Sequence, residues 1–527
     1  MAIELSNLTF TEQADIVPPS GVEEILNTGV ANSFAGNDEI TGTGETLQNI
    51  LFESLRTVGI YNKSSGTINT DSGGDEITGY GNIGIYNESN GTINTGNGRD
   101  KITGYGSQTE SSGKTTSGVV NGGTINTDSG DDTISGYATG DYPGGVVNFG
   151  SINTGNGDDN IIGDGASDGV VNDAGGTINT GNGDDSIIGT SSQGSGISNT
   201  NYSDGRDLST INTGNGDDSI IGTTTGYGAG LGVFLSAINT GNGNDTIIGN
   251  GIYGGIFCGG DGIIDTGDGN DILTGIGGIA IGSFEGSESS KGTIETGRGN
   301  DIITGIGGIS NDTGTIDTDA GNDSIISENY SFTNKGNVFL GEGNDLISAN
   351  TTNVFFSDRV LENFNFIGTG EGNDTITSNS VIYNQGVIET GNGDDSIIVG
   401  GGVDDNGTRY GIYNNGGAIN MGEGNDSIIA NQGFESAPNS GGAWFLGEGD
   451  DYIKGYGSGD FYGGNGNDTL ELTPGTYTVG IWGEAGESPI FTKGNQLMIT
   501  SEFEKLKAGS TIYDFASLTN GQTITVA

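Results

Sequence analysis

Seventeen aspartates recur along this chain in variants of one phrase, Thr-Gly-Asn-Gly-Asp-Asp-Ser-Ile-Ile-Gly. They are Asp38, Asp75, Asp100, Asp132, Asp159, Asp185, Asp218, Asp245, Asp271, Asp301, Asp323, Asp345, Asp374, Asp395, Asp426, Asp451 and Asp468. A carboxylate is a hard oxygen donor. A glycine-rich turn adds backbone carbonyls, because Gly adopts the positive φ that lets them converge. The chemistry on offer is therefore all-oxygen coordination of a hard cation, which suits Ca²⁺. The first and last of these Asp lie 430 residues apart over sixteen steps, a mean period near 27, with single steps from 17 to 37. A repeat of that length signals a solenoid.

The elements that must position the carboxylates follow from columns of the repeat, numbered from the shared Asp. Position +2 is Ile in fifteen copies and Leu in two, Leu273 and Leu470. Position −7 is Ile in thirteen copies, with Val338, Trp444 and Phe461 among the replacements. Position −5 is usually Thr but admits Leu340, Met421 and Leu446. Residues two apart share one face of a strand, so −7 and −5 point inward. The Asn or acidic residues at −6 point out. A third strand, Gly-Ile/Val-Tyr/Val-Asn, recurs at 59–62, 84–87, 118–121, 145–148, 169–172 and 411–414. Helical periodicity is absent. The expected fold is all-β: a right-handed parallel β-helix, or β-solenoid, of about 17 coils with three short strands per coil. Length variation, as at 104–118, 136–144 and 222–231, falls along one edge. A propeller would need four strands and about 40 residues per blade.

Stacking places the shared Asp in a column with coils about 4.8 Å apart. At that spacing neighbouring carboxylates repel by roughly 0.9 kcal/mol in bulk water and several-fold more at a protein surface. A dication between layers inverts that repulsion. Position −1 is Asp in six copies and Asn in nine, an adjacent oxygen donor in most coils. About sixteen Ca²⁺ would add about +32 to the net charge of −54 and leave about −22. The competing reading is metal-free: Gly, Asn and Asp as turn formers, with stacked Asn replacing metal. Against it stands the Asp itself, since Asn would cap the turn equally well without repulsion.

Composition narrows the function classes. With 69 acidic and 15 basic residues, no basic stripe is present to neutralise phosphates, so nucleic acid is not an expected partner. Anionic membrane surfaces are equally disfavoured. No apolar stretch approaches the 18 residues of a spanning helix, and the first thirty residues lack a signal-peptide pattern. The chain has no His, which removes the Ser-His-Asp and Cys-His constellations. Its one Cys, Cys258, reads as a small buried hydrophobe.

The segment Gly463-Gly464-Asn465-Gly466-Asn467-Asp468-Thr469-Leu470-Glu471 matches the whole nonapeptide of the RTX, hemolysin-type calcium-binding family, which this chain resembles. The other copies match its Gly-x-Gly-x-Asp-x-aliphatic part, usually with Thr in place of the first Gly. The resemblance implies calcium at the turns, folding on meeting extracellular calcium, and export by a type I secretion channel through an uncleaved C-terminal signal. The tail's Phe503-Glu504-Lys505-Leu506 looks like an element of such tails, particularly cyanobacterial ones. The family repeats every nine residues with calcium turns on both edges. This chain carries one turn per coil, and so one calcium edge. The expected organisation is a cap or assembly segment at 1–32, the calcium-binding solenoid at 33–471, and a C-terminal cap with the secretion signal at 472–527.

Three functions compete. A structural or adhesive protein of the cell surface or extracellular matrix is favoured, self-associating, with head-to-tail filaments as one form and cell-surface polysaccharide as a possible ligand. A β-helix enzyme acting on extracellular polysaccharide would need a base beside a uronate, or two opposed carboxylates in a cleft. No acid here stands out from the repeat, so no enzyme is expected. An ice-binding protein would need a flat exposed Thr ladder, and the Thr column at −5 points inward.

Overall fold

The computed structural model describes residues 2–18, 23–44, 57–107, 116–140, 144–201, 208–282, 291–352, 359–403, 409–436, 441–482 and 488–527. Parts of the variable loops named above, 108–115 and 141–143, lie outside the described residues. The chain forms two compact units, the first essentially residues 1–280 and the second essentially 295–527. Both are parallel β-solenoids.

Each coil of the first unit lays one strand on each of three faces. The first face stacks the Gly-Ile-Tyr-Asn strands, such as Val58–Asn62, Ile83–Asn87 and Ser117–Asn121. The second stacks the Thr-Ile-Asn strands Thr67–Asn69, Thr92–Asn94 and Thr124–Asn126. The third begins just after the shared Asp, as in Glu76–Gly81, Lys101–Gly106 and Thr133–Ala138. All these pairings are parallel and in register, so like stacks on like: Ile68, Ile93 and Ile125 form one column and Ile77, Ile102 and Ile134 another. Register is held because a slip of one residue would turn every aliphatic outward.

The core is built as the alternation demands. Ile at −7 and +2 are buried throughout, and Ile60, Ile85, Val119, Val146 and Val170 join them from the first face. Burying one such side chain contributes about 1.5–3 kcal/mol. Thr at −5 is likewise buried, and Cys258 lies fully inside with its thiol donating to the Gly262 carbonyl at 3.2 Å.

The second unit repeats the plan with larger side chains. On its second face Ile419, Trp444 and Phe461 stack in register, and the Trp444 and Phe461 rings lie parallel with centroids 4.4 Å apart. Its C-terminal end stacks Gln496–Ser501 and Lys505–Ala508 in parallel on the last coil and adds antiparallel pairings. Gly475–Trp482, Ser488–Lys493 and Gln496–Ser501 pair antiparallel, and Lys505–Ala508 turns back on Thr511–Asp514. At the other terminus, Ile3–Glu4 pairs with Ile25 and Leu26, and Ile16–Val17 with Glu39 and Ile40. The segment expected as an N-terminal cap thus supplies strands to the first and third faces, with Leu5 buried behind them.

A buried carboxylate column as candidate metal centre

The turn between the second and third faces sets the site. At −2, Gly98 has φ +151°, and a Cβ there would lie 1.3 Å from the Gly73 carbonyl oxygen of the preceding coil. Only glycine lets the turns nest at that distance. At −4, three coils carry Asp71, Asp128 and Asp319 in place of Gly, and each takes a φ near +60°, the left-handed basin that Asp tolerates.

The shared Asp shares its face with the Ile two residues on, so it points into the solenoid. Asp132, Asp159, Asp245, Asp301, Asp323 and Asp468 have no exposed surface, and the other eleven are nearly as buried. The sequence analysis set these carboxylates along an edge with the −1 oxygens as neighbours. The structure puts them inside and the −1 side chains outside. The reason is strand parity: consecutive residues face opposite sides.

Within the column one oxygen of the carboxylate is satisfied by the backbone. Oδ1 accepts the backbone N–H of the Asp one coil earlier. The series runs Asp38 to Asp75 at 2.7 Å, Asp75 to Asp100 at 2.8 Å and Asp100 to Asp132 at 2.7 Å, and continues to Asp271 in the first unit. The second unit repeats it from Asp301 through Asp468 at 2.7–2.8 Å. The second oxygen is different. Oδ2 is buried with no hydrogen-bond partner in Asp38, Asp75, Asp100, Asp132, Asp159, Asp185, Asp218, Asp245, Asp323, Asp345, Asp374, Asp395, Asp426, Asp451 and Asp468. A buried carboxylate oxygen left unmatched is expensive, and fifteen of them call for an explanation.

Burial accordingly pushes these acids up. Asp75, Asp218, Asp271, Asp323, Asp395 and Asp451 rise to about 6. Asp132, Asp185, Asp345, Asp426 and Asp468 rise to about 7. Asp100, Asp159, Asp245 and Asp374 shift the same way. Desolvation is the main cause, and for most of these acids neighbouring carboxylates add to it. The N–H from the preceding coil opposes it. The Thr hydroxyl at −5 also lies close enough to favour the anion, and in coils such as that of Thr127 it donates along the column, to the Thr154 carbonyl at 3.1 Å.

The donor chemistry suits a hard cation: a buried, unpartnered carboxylate oxygen in fifteen coils. The carbonyls at −2 stack within the same turn. Among the described residues no three His, Cys, Asp or Glu side chains form a ready-made cage, as expected where each layer offers a single carboxylate and the remaining donors are backbone oxygens.

Three features escaped the sequence reading. The Asn of most first-face strands is buried and forms a ladder: Asn62 Nδ2 donates to Asn87 Oδ1 at 2.7 Å, and the chain extends from Asn27 to Asn199. Asn311 to Asn414 repeats it in the second unit. The signal was visible, since Asn closes every Gly-Ile/Val-Tyr/Val-Asn strand quoted above. Second, the −1 residues form an outer ladder of opposite sense, as where Asp184 N donates to Asp158 Oδ1 at 3.0 Å. Third, the Asp column has terminators outside the motif. Asp15 N donates to Asp38 Oδ1 at 2.7 Å, and Asp468 N donates to Glu504 Oε2 at 2.7 Å.

No family model matches the chain, and no curated protein matches it. Among solved structures it is similar to a hyperactive, Ca²⁺-dependent, β-helical antifreeze protein from an Antarctic bacterium, at 19% identity over 81% of this chain and 86% of that one, with a TM-score of 0.31. The fold and the site described here stand on this chain's own geometry.

Proposed function

We propose that this chain is a secreted calcium-binding β-solenoid serving as a non-enzymatic structural or adhesive component of the cell surface or extracellular matrix. The observation that carries the calcium reading is the buried, unpartnered Oδ2 repeated in fifteen coils. At neutral pH a bound cation would stabilise such an oxygen in its ionised form. The Asp Oδ2 atoms and the turn carbonyls would hold the ion, and the ion supplies charge neutralisation between layers. The nonapeptide resemblance and the net charge of −54 support the same reading. Folding is then linked to calcium, because a ligand that binds only the folded state contributes to its stability. The test is far-UV circular dichroism in calcium and in EGTA. We expect the β signal to melt at a lower temperature in chelator and to recover with calcium; an unchanged melting curve favours the metal-free turn.

One observation favours a second reading, ice binding. The Thr column at −5 is buried, but the second face of the first unit turns two other ranks outward. They are Thr67 and Asn69, Thr92 and Asn94, Thr124 and Asn126, Ser151 and Asn153, Thr177 and Asn179, and Thr210 and Asn212, all at least partly exposed. Parallel register repeats them about every 4.8 Å, with the ranks roughly 6.6 Å apart along the strand. Asn153 Nδ2 donates to Asn126 Oδ1 at 2.9 Å, which fixes part of the lattice. A regular array of hydroxyls and amides suits an ordered water surface. Thermal hysteresis in purified protein, lost when Thr124 and Thr177 are both changed to Tyr, supports it; no hysteresis in the unaltered protein removes it.

A further inference from the structure

The Asp column has a direction. Every carboxylate accepts from the coil before it, so the N-terminal end needs only an N–H and the C-terminal end needs one more acid. Asp15 fits the first role: it donates its N–H to Asp38 while its own carboxylate turns to the Thr11 N–H at 2.7 Å. Glu504 fits the second. Its Oε2 accepts from Asp468 N at 2.7 Å, the place an Asp Oδ1 takes elsewhere. Lys505 N donates to the Asp468 carbonyl at 2.9 Å, as Thr469 N does to the Asp451 carbonyl at 2.8 Å. Leu506 pairs with Leu470 and is fully buried, the place of the +2 aliphatic.

The last layer also differs in shape. Where most coils carry Thr at −5, this one carries Gly463. A Cβ on Gly463 would lie 1.9 Å from the Glu502 carbonyl oxygen and 2.9 Å from Asp468 Oδ2. Glu502 holds φ +62°, a left-handed conformation. A carbonyl oxygen and a buried, unpartnered carboxylate oxygen thus converge on the space that a side chain fills elsewhere, with the Glu504 carboxylate adjoining.

We propose that Asp468 Oδ2, the Glu504 carboxylate and the Glu502 carbonyl form a further calcium site that fastens the C-terminal cap, residues 472–527, onto the last coil. This rests on the calcium reading of the column. It assigns Phe503-Glu504-Lys505-Leu506 the role of the final rung.

The test is hydrogen exchange read by mass spectrometry on full-length protein, in calcium and in EGTA, for the wild type and E504Q. Gln keeps an oxygen to accept from Asp468 N but loses the charge. In the wild type, calcium should slow exchange over 503–515 at least tenfold. In E504Q that protection should vanish, while calcium protection over 323–345 persists. Full calcium protection of 503–515 in E504Q overturns the proposal. So does a wild type protected by calcium at 323–345 but not at 503–515, a result that leaves the column reading intact. No calcium response in either segment removes both. Should E504Q lose its cap even in EGTA, D468N interrogates the same layer from the other side, with the same outcomes.

Discussion

At the scale of single residues, the carboxylates face opposite demands with and without metal. Their folded-state values lie above the ordinary carboxylate range, to about 6 for Asp218 and about 7 for Asp185. The native metal-free chain therefore binds more protons than the unfolded chain between about pH 4 and 7. Its stability is greatest below the unfolded-state value near pH 4 and is lost as pH rises through 6 and 7. Melting temperature in EGTA should fall across that window. In calcium the ionised form is retained, so affinity should rise with pH as protons cease to compete. Asp185→Asn separates the two regimes. Asn keeps the acceptor for the Asp159 N–H and removes the charge. Denaturant titration should show it neutral or stabilising in EGTA at pH 8, and destabilising on the order of 1–3 kcal/mol in calcium. The inward Thr and Ile columns were readable because hydrophobic replacements betray a buried position. The burial of the Asp was not drawn out, although it shares parity with the Ile two residues on.

At the scale of the strand and turn, like-on-like stacking carries the fold, and a defect in one coil should be felt locally. Ile187 is fully buried in register with Ile161 and Ile220. Ile187→Ala should destabilise the protein by about 2–5 kcal/mol, measured by urea titration. Asn148 is held between Asn121 and Asn172 by hydrogen bonds of 2.9 and 2.8 Å. Asn148→Leu leaves both neighbours short of a partner and should cost about 1–3 kcal/mol with or without calcium. That calcium-independence distinguishes the Asn ladder from the Asp column. The three faces were legible because alternation and Gly punctuation repeat in register. The ends were not. Asp15 sits outside any Gly-x-Gly phrase, and Glu504 performs the role with a different acid, so neither announces itself in a motif.

At the scale of the whole chain, a solenoid must close its last coil or present an open edge. The antiparallel strands from Gly475 to Ser501, and the hairpin of Lys505–Ala508 with Thr511–Asp514, cover the end of the parallel stack. Removing residues 472–527 should expose unpaired strand edges and raise the average molar mass above that of the full-length protein, read by light scattering after gel filtration. The mean period and the Gly-rich phrase made the solenoid legible at this scale. A partner would leave no comparable mark, since recognition depends on side chains scattered over outward ranks. The central claim is that the buried column binds calcium. Equilibrium dialysis at neutral pH counts the ions directly. Nine shared Asp in the first unit and eight in the second give eight and seven inter-coil layers. The account predicts on the order of fifteen Ca²⁺ per chain, held at millimolar free calcium or below. A count near zero under those conditions would contradict it.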